Sequence, residues 1–211
     1  MIFLALTGIA STSQGQTPSS WHFEDVALGQ LPAGWKSQTT HAQHGAPSWE
    51  VRKDPSAPSP DHVLALIRAA DGGRGGIFNI CWTPTPVFRN GEIRVSFKAI
   101  TGREDQGGGI MWRVRDRNNY YVARFNPLED NFRLYTVHEG HRRMLASARV
   151  SLLPGWHRMH IVQQGDHYTA YLDGRKLLTG NNDLFPDPGG VGVWTKADAL
   201  TAFDDFSVTP R

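Results

Sequence analysis

The chain has 211 residues, 39% hydrophobic and 20% charged, with 22 Gly and 13 Pro. That length buries a full apolar core, and β-sandwiches run to about 200–250 residues as one unit, so one domain is the default. A formal charge of +2 without a dense Lys/Arg block leaves no electrostatic footprint for a nucleic-acid partner.

In chain order, residues 1–17 come first. Ile2–Ala10 is apolar, but about nine such positions fall short of the roughly 20 that span a bilayer. With the small residues that follow, the stretch reads as the apolar and cleavage regions of a secretory signal. Gly8-Ile9-Ala10 offers a small-x-small cleavage site, although a basic start is missing. A disordered leader or a buried first strand is the alternative. The signal reading makes the protein secreted or periplasmic and leaves residues 18–211 as the folded unit.

Beyond the leader, helical periodicity is short and interrupted by Gly or Pro, whereas two-residue alternation dominates. Strands are expected at 49–53, 62–67, 76–81, 92–100, 108–115, 120–126, 131–138, 143–148, 157–163, 167–172, 176–178, 190–195 and 201–208. Turn residues punctuate them: Gln164-Gly165-Asp166, Asp173-Gly174, Glu139-Gly140 and the longer Asn126–Asp130 loop. The Pro/Ser-rich Arg52–His62 reads as a surface loop. The Gly clusters 71–76 and 106–109 read as turns. Many short strands between turns describe an all-β antiparallel sandwich or barrel. Cys81 is the only cysteine, so no intramolecular disulfide forms, and its setting in "IFNICW" reads as a core thiol.

Several segments together resemble a known group. "LPAGW" (Leu31–Trp35), "NYYVARFNPLEDNFRLY", "GWHRMHI", "YLDGRKLL" and "GGVGVWTKADALTAFDDFSV" are similar to secreted bacterial proteins with a concanavalin A-like jelly-roll fold. These are grouped with 3-keto-disaccharide hydrolase domains and with laminin-G-like and family-16 glycoside-hydrolase-like sandwiches. The resemblance runs from about residue 21 to 208. It implies two curved antiparallel sheets with few or no helices, and a concave face used for sugars.

Alternation sorts the side chains of "NNYYVARFNPLEDNFRLY". Tyr121, Ala123 and Phe125 share one face; Tyr120, Val122, Arg124 and Asn126 share the other. In the following strand, Asn131, Arg133 and Tyr135 oppose Phe132 and Leu134. If the two strands are neighbours, Arg124, Asn126, Arg133 and Tyr135 cluster on one polar-aromatic face. Such a face suits carbohydrate, because rings cover C–H surfaces while Arg and Asn bond hydroxyls. A solvated face whose Arg stems cover apolar surface is the alternative. Trp194, with Lys196 on its face, is a candidate stacking platform, and Trp112 reads as core.

Acidic and metal-binding candidates follow. The Glu-x-Asp-x-x-Glu motif of family-16 glycosidases is absent, and adjacent acidic pairs point to opposite faces of a strand. A catalytic pair would need carboxylates from separate strands, with Glu129 and Asp205 as candidates. Similarity between "FEDVALG" and "FDDFSV" suggests neighbouring terminal strands, where Asp25 and Asp205 could hold a structural calcium ion; Asp205 as a cap or ion-pair partner is the alternative. Histidine spacing matches no metal motif. These readings favour a secreted module that recognises carbohydrate or glycan. A glycoside hydrolase or lyase acting on a modified sugar, and a structural or adhesive surface module, are the rivals.

Overall fold

The computed structural model describes residues 17–41, 45–70 and 76–211. The expected signal and the Gly-rich turn at 71–75 lie outside the described residues.

Fifteen strands are found among the described residues: β1 (Ser19–Trp21), β2 (Lys36–Thr40), β3 (Ser48–Lys53), β4 (His62–Arg68), β5 (Phe78–Phe88), β6 (Gly91–Thr101), β7 (Gly108–Asp116), β8 (Asn119–Asn126), β9 (Asn131–His138), β10 (His141–Arg149), β11 (Trp156–Gln164), β12 (His167–Leu172), β13 (Arg175–Asn181), β14 (Gly189–Lys196) and β15 (Leu200–Pro210). They form two antiparallel sheets. The eight-stranded sheet runs β13-β12-β11-β6-β15-β4-β3, with β1 also paired to β15. The seven-stranded sheet runs β10-β9-β8-β7-β14-β5-β2. The architecture is the antiparallel jelly-roll sandwich that the alternation and the resemblance anticipate. No helix among the described residues is long and apolar enough to cross a membrane.

Two strands escape the sequence reading. β1 is three residues long, and β2, "KSQTT", is polar and lies at a sheet edge, pairing only with β5. Neither presents the apolar alternation that marks a half-buried strand.

The inner faces of both sheets supply the core. From the seven-stranded sheet come Ile110, Trp112, Tyr121, Ala123, Phe125, Leu134 and Val193; from the other, Phe97, Ile161, Ala170 and Phe203. Trp112 stacks on Tyr121, with centroids 5.5 Å apart, and its Nε1 donates to Gln163 Oε1 at 3.0 Å. The ring therefore buries its apolar body and still satisfies its one polar atom. Cys81 is fully buried in the same core, and burial pushes its thiol up, away from nucleophilic use.

Alternation breaks once in β7. It groups Val114 with Trp112, yet Val114 packs on the outer face with Met111. The cause is a bulge at Arg113, whose φ is 47° and beside which the registers with β8 and β14 shift. The extra residue turns the Arg113 guanidinium onto backbone carbonyls at one end of the sandwich. Nε and Nη2 donate to Arg89 O, at 3.0 and 2.8 Å, Nη1 to Phe185 O at 2.8 Å, and Nη2 also to Gly165 O at 2.5 Å. Three chain segments are tied to one side chain.

Candidate functional site

The outer face of the seven-stranded sheet, the side turned from the core, carries the second apolar cluster of the molecule. Phe78, Ile80 and Trp82 of β5, Met111 and Val114 of β7, Tyr120 and Val122 of β8, Tyr135 and Val137 of β9 and Trp194 of β14 form it. A polar group lies at its margin. In the β8–β9 register Arg124 faces Arg133, Val122 faces Tyr135 and Asn126 faces Asn131. Directly opposed residues share a face, so the loop does bring Arg124, Asn126, Arg133 and Tyr135 together. On the far side of β8, Arg124 is opposite Gly109, where a Cβ would stand 1.9 Å from the Ala123 carbonyl oxygen. Only glycine allows this close approach of β7 to β8 beside Arg124.

Arg124 is the centre of the group and is 1% exposed. Its Nη2 donates to Glu129 Oε2 at 3.0 Å, and its Nη1 is 3.9 Å from Asp105 Oδ1. Nε and Nη1 have no hydrogen-bond partner. Glu129 Oε2 also accepts from Arg133 Nη1 at 3.0 Å and from Asn131 Nδ2 at 2.8 Å. The Asn131 amide, together with Arg124 and Arg133, holds the Glu129 carboxyl below its ordinary value against the effect of burial.

Asp105, in the loop before β7, lies on the other side of Arg124. Its Oδ2 accepts from Lys196 Nζ at 2.9 Å and its Oδ1 from Asn126 Nδ2 at 2.9 Å. The loop is itself fixed by Asp198, whose carboxylate accepts from the backbone N–H groups of Arg103, Glu104 and Asp105 at 2.7–3.0 Å. Burial disfavours that charge, but these donors win and hold the Asp198 carboxyl below its ordinary value.

Arg142 of the edge strand β10 completes the group. Its guanidinium carbon is 4.5 Å from the centroid of Tyr135, 5.3 Å from Phe78 and 6.0 Å from Trp194. Tyr135 is also approached by Arg124, at 6.0 Å. Below this layer the Trp194 Nε1 donates to Tyr120 Oη at 3.2 Å, and Tyr120 Oη is 3.0 Å from Thr40 Oγ1. Burial pushes the Tyr120 hydroxyl up, so it stays a neutral bridge.

The six sequence-proposed ligand residues thus occupy one surface, with roles altered by their neighbours. Trp194 is 0% exposed and Tyr135 4%, so Trp194 is not an open stacking platform, and Arg142 lies against both rings. Asn126 is spent as a bracket: Nδ2 goes to Asp105 and Oδ1 accepts from Leu128 N at 2.8 Å. Lys196 neutralises Asp105. The outward contacts fall to Arg133, Glu129, Lys196 and Arg142, all at least partly accessible. Asp105, Arg142 and Asp198 were not found by sequence reasoning.

Glu129 and Asp205 do not converge. Glu129 sits in the β8–β9 loop of the seven-stranded sheet, whereas Asp205 belongs to β15 of the other. Asp205 Oδ1 is 2.8 Å from His22 Nδ1. Among the described residues three possible metal donors converge only at Glu24, Asp61 and His62, a group that contains neither Asp25 nor Asp205. There Glu24 Oε1 already accepts from Asp61 N and His62 N, at 3.2 and 3.0 Å, and Asp61 Oδ2 from Lys53 Nζ at 2.7 Å. A capped turn accounts for the cluster without an ion.

A hollow of about 440 Å³ lies on the opposite sheet and is lined by Arg52, Asp54, Val63, Ile67, Lys98 and Ile100, among others. Its Lys98 ammonium is taken up by Asp54 and Ser56, each at 2.8 Å. None of the unpartnered buried side-chain atoms belongs to its lining. Unmet donors concentrate instead around Arg124 and Arg142, and for that reason the site is placed there.

Against known proteins, neither a family model nor a curated protein matches the chain. Solved structures do. The carbohydrate-binding module CBM66 from Bacillus subtilis superposes with a TM-score of 0.64 at 16% identity, over 82% of this chain and 94% of that one. A β-glucanase from Bacillus licheniformis gives 0.61 at 10% identity, over 94% of this chain and 100% of the other. The cellulose-induced protein Cip1 gives 0.60 at 16% identity, over 92% and 98%. The fold is a concanavalin A-like jelly roll. At these identities the likeness establishes architecture and leaves the chemistry to the residues themselves.

Proposed function

We propose that this protein recognises carbohydrate on the outer face of the seven-stranded sheet. One observation carries the reading: a guanidinium at 1% exposure, Arg124, has two unmet donor nitrogens beside Arg133, Tyr135, Arg142 and Lys196. Buried donors without partners are costly and uncommon, and a ligand rich in oxygen acceptors would satisfy them. The printed names of two fold neighbours, a carbohydrate-binding module and a β-glucanase, agree with a sugar ligand. Such a role fits a secreted or periplasmic module made of residues 18–211.

Binding is favoured over cleavage by the state of Glu129. Asp105 and Glu129 flank Arg124 from separate segments and are the carboxylates a hydrolase would have to use there. Retaining and inverting hydrolysis each need one carboxyl kept protonated as the acid. Glu129 is pushed the other way, and Asp105 is occupied by Lys196 and Asn126. A glycan array followed by product analysis on the retained glycans tests the reading. Retention without release of sugar is the expected result. Release of reducing ends would replace binding by catalysis, and an empty array would remove the carbohydrate reading.

A further inference from the structure

Four cations meet on the outer face: Arg124, Arg133, Arg142 and Lys196. Two carboxylates, Asp105 and Glu129, oppose them, which leaves an excess of two positive charges. The pairing is uneven. Lys196 has Asp105 at 2.9 Å, and Arg124 and Arg133 share the single oxygen Glu129 Oε2. Arg142 belongs to none of these ion pairs; it rests on rings, and its Nη1 is buried with no hydrogen-bond partner. Arg124 and Arg142 both approach Tyr135. Burial is the main cause that disfavours the charge on Arg142, and the nearby Arg124 adds to it, while Tyr135, Asp105 and Glu129 act in the opposite sense without reversing it.

Hydroxyl groups of a neutral sugar could accept hydrogen bonds from these guanidinium nitrogens. They would leave the charge excess and the repulsion between Arg124 and Arg142 in place. In a site screened from water that repulsion is strengthened. An anion removes both problems, because it accepts from either guanidinium in a charge-assisted, bidentate manner and supplies the missing negative charge. We infer that the glycan is acidic, with a carboxylate or sulfate group seated between Arg124 and Arg142 beside the Tyr135 ring. This rests on the carbohydrate reading above and specifies its ligand class. Arg133 and Lys196, already partly neutralised, then face the neighbouring sugar units.

The test is calorimetric titration of the full chain with three polymers: polygalacturonate, a sulfated galactan and a neutral β-glucan. Each is run in about 0.02 M and about 0.5 M NaCl, where the screening length shrinks severalfold. Binding of an acidic polymer, weakened about tenfold or more by salt, with the neutral glucan much weaker, supports the inference. Polygalacturonate alone identifies a carboxylate, and the sulfated galactan alone a sulfate. Arg142→Gln should lower affinity for the acidic polymer by about tenfold or more while the melting temperature stays near the wild type. Equal, salt-insensitive binding of the neutral glucan would overturn the acidic ligand and keep carbohydrate recognition. Failure of all three to bind the folded protein would sink both. The salt series on the unaltered chain is informative even if the variant unfolds.

Discussion

The guanidinium of Arg142 stands 4.5 Å from the ring centroid of Tyr135, with Phe78 and Trp194 also within reach. This edge-strand arginine caps an aromatic group that would otherwise be an apolar hollow. The arrangement gains cation–π attraction of about 0.5–2 kcal/mol and loses hydration of the charge. Replacement by methionine keeps the apolar stem and removes the unpaired charge. Arg142→Met should therefore change unfolding free energy by no more than about 1 kcal/mol in either direction, while weakening glycan binding. Denaturant titration beside calorimetry checks this. A loss of stability above about 2 kcal/mol would make Arg142 a structural strut instead.

Arg124 differs, because it is buried and paired. Removing it leaves Glu129 with Arg133 and Asn131 and opens a void beside Asp105 and Tyr135. Breaking a buried pair by deleting one partner costs about 3–5 kcal/mol. The exposure of Glu129 lowers that figure here, so Arg124→Ala should destabilise by about 2–3 kcal/mol and also abolish binding. Chemical denaturation monitored by tryptophan fluorescence gives the number. A variant as stable as the wild type would mean that the guanidinium is held at a net cost for ligand binding alone.

How far the sequence reaches is clear from these two arginines. Period-two alternation in β8 and β9 placed Arg124 and Arg133 together, because both strands are regular over that span. Arg142 and Asp105 were beyond it. Arg142 reaches the aromatic group from the edge strand, and Asp105 comes from a loop aimed by Asp198, 93 residues away. Neither relation has a local pattern. Alternation fails outright at Arg113, where one extra residue in β7 sends Val114 to the outer face. The depth of the outer face was also invisible: apolar alternation on one side of a strand does not reveal that the other side is covered as well.

Trp112 tests the core. Its ring is fully buried against Tyr121, and Nε1 is satisfied by Gln163 on the facing sheet. Trp112→Ala should cost about 3–5 kcal/mol from lost burial and the cavity left behind. Trp112→Phe retains most of the packing but orphans one bond to Gln163 Oε1, so a smaller loss of about 1–3 kcal/mol is expected. Thermal unfolding of the two variants should rank them in that order. Equal losses would mean that the hydrogen bond, not the ring volume, holds the two sheets together at this point.

Glu129 gives a dependence on acidity. Its carboxyl is held below its ordinary value of 4.5 by Asn131, Arg124 and Arg133. The folded state therefore binds that proton less readily than the unfolded chain. The resulting stabilisation is complete above about pH 4.5 and is lost as pH falls through the depressed folded value. Asp204 works in the opposite sense: burial raises its carboxyl above 3.8 despite donors from Ser59, so its ionisation reduces stability as pH rises through that range. Comparing wild type with Glu129→Gln over pH 2.5–6 isolates the first effect. The two stability curves should converge on acidification, and parallel curves would show that Glu129 titrates alike in both states.

Arg113 provides the last expectation, and it concerns the frame that holds the site. Its backbone occupies the left-handed region at φ 47°, uncommon for a residue other than glycine, asparagine or aspartate. The guanidinium repays that cost by donating to the carbonyls of Arg89, Phe185 and Gly165. Arg113→Lys retains the charge but cannot reproduce a planar fork aimed at three acceptors. Arg113→Gly relaxes the backbone but leaves the carbonyls without their donor. If the hydrogen bonds dominate, both variants lose about 2–4 kcal/mol, since several buried acceptors lose partners at once. If backbone strain dominates, the glycine variant should match or exceed the wild type. Unfolding midpoints measured side by side distinguish these outcomes. Because β7 lies between β8 and β14, loosening the bulge should also weaken glycan binding at Arg124, although no ligand would touch Arg113.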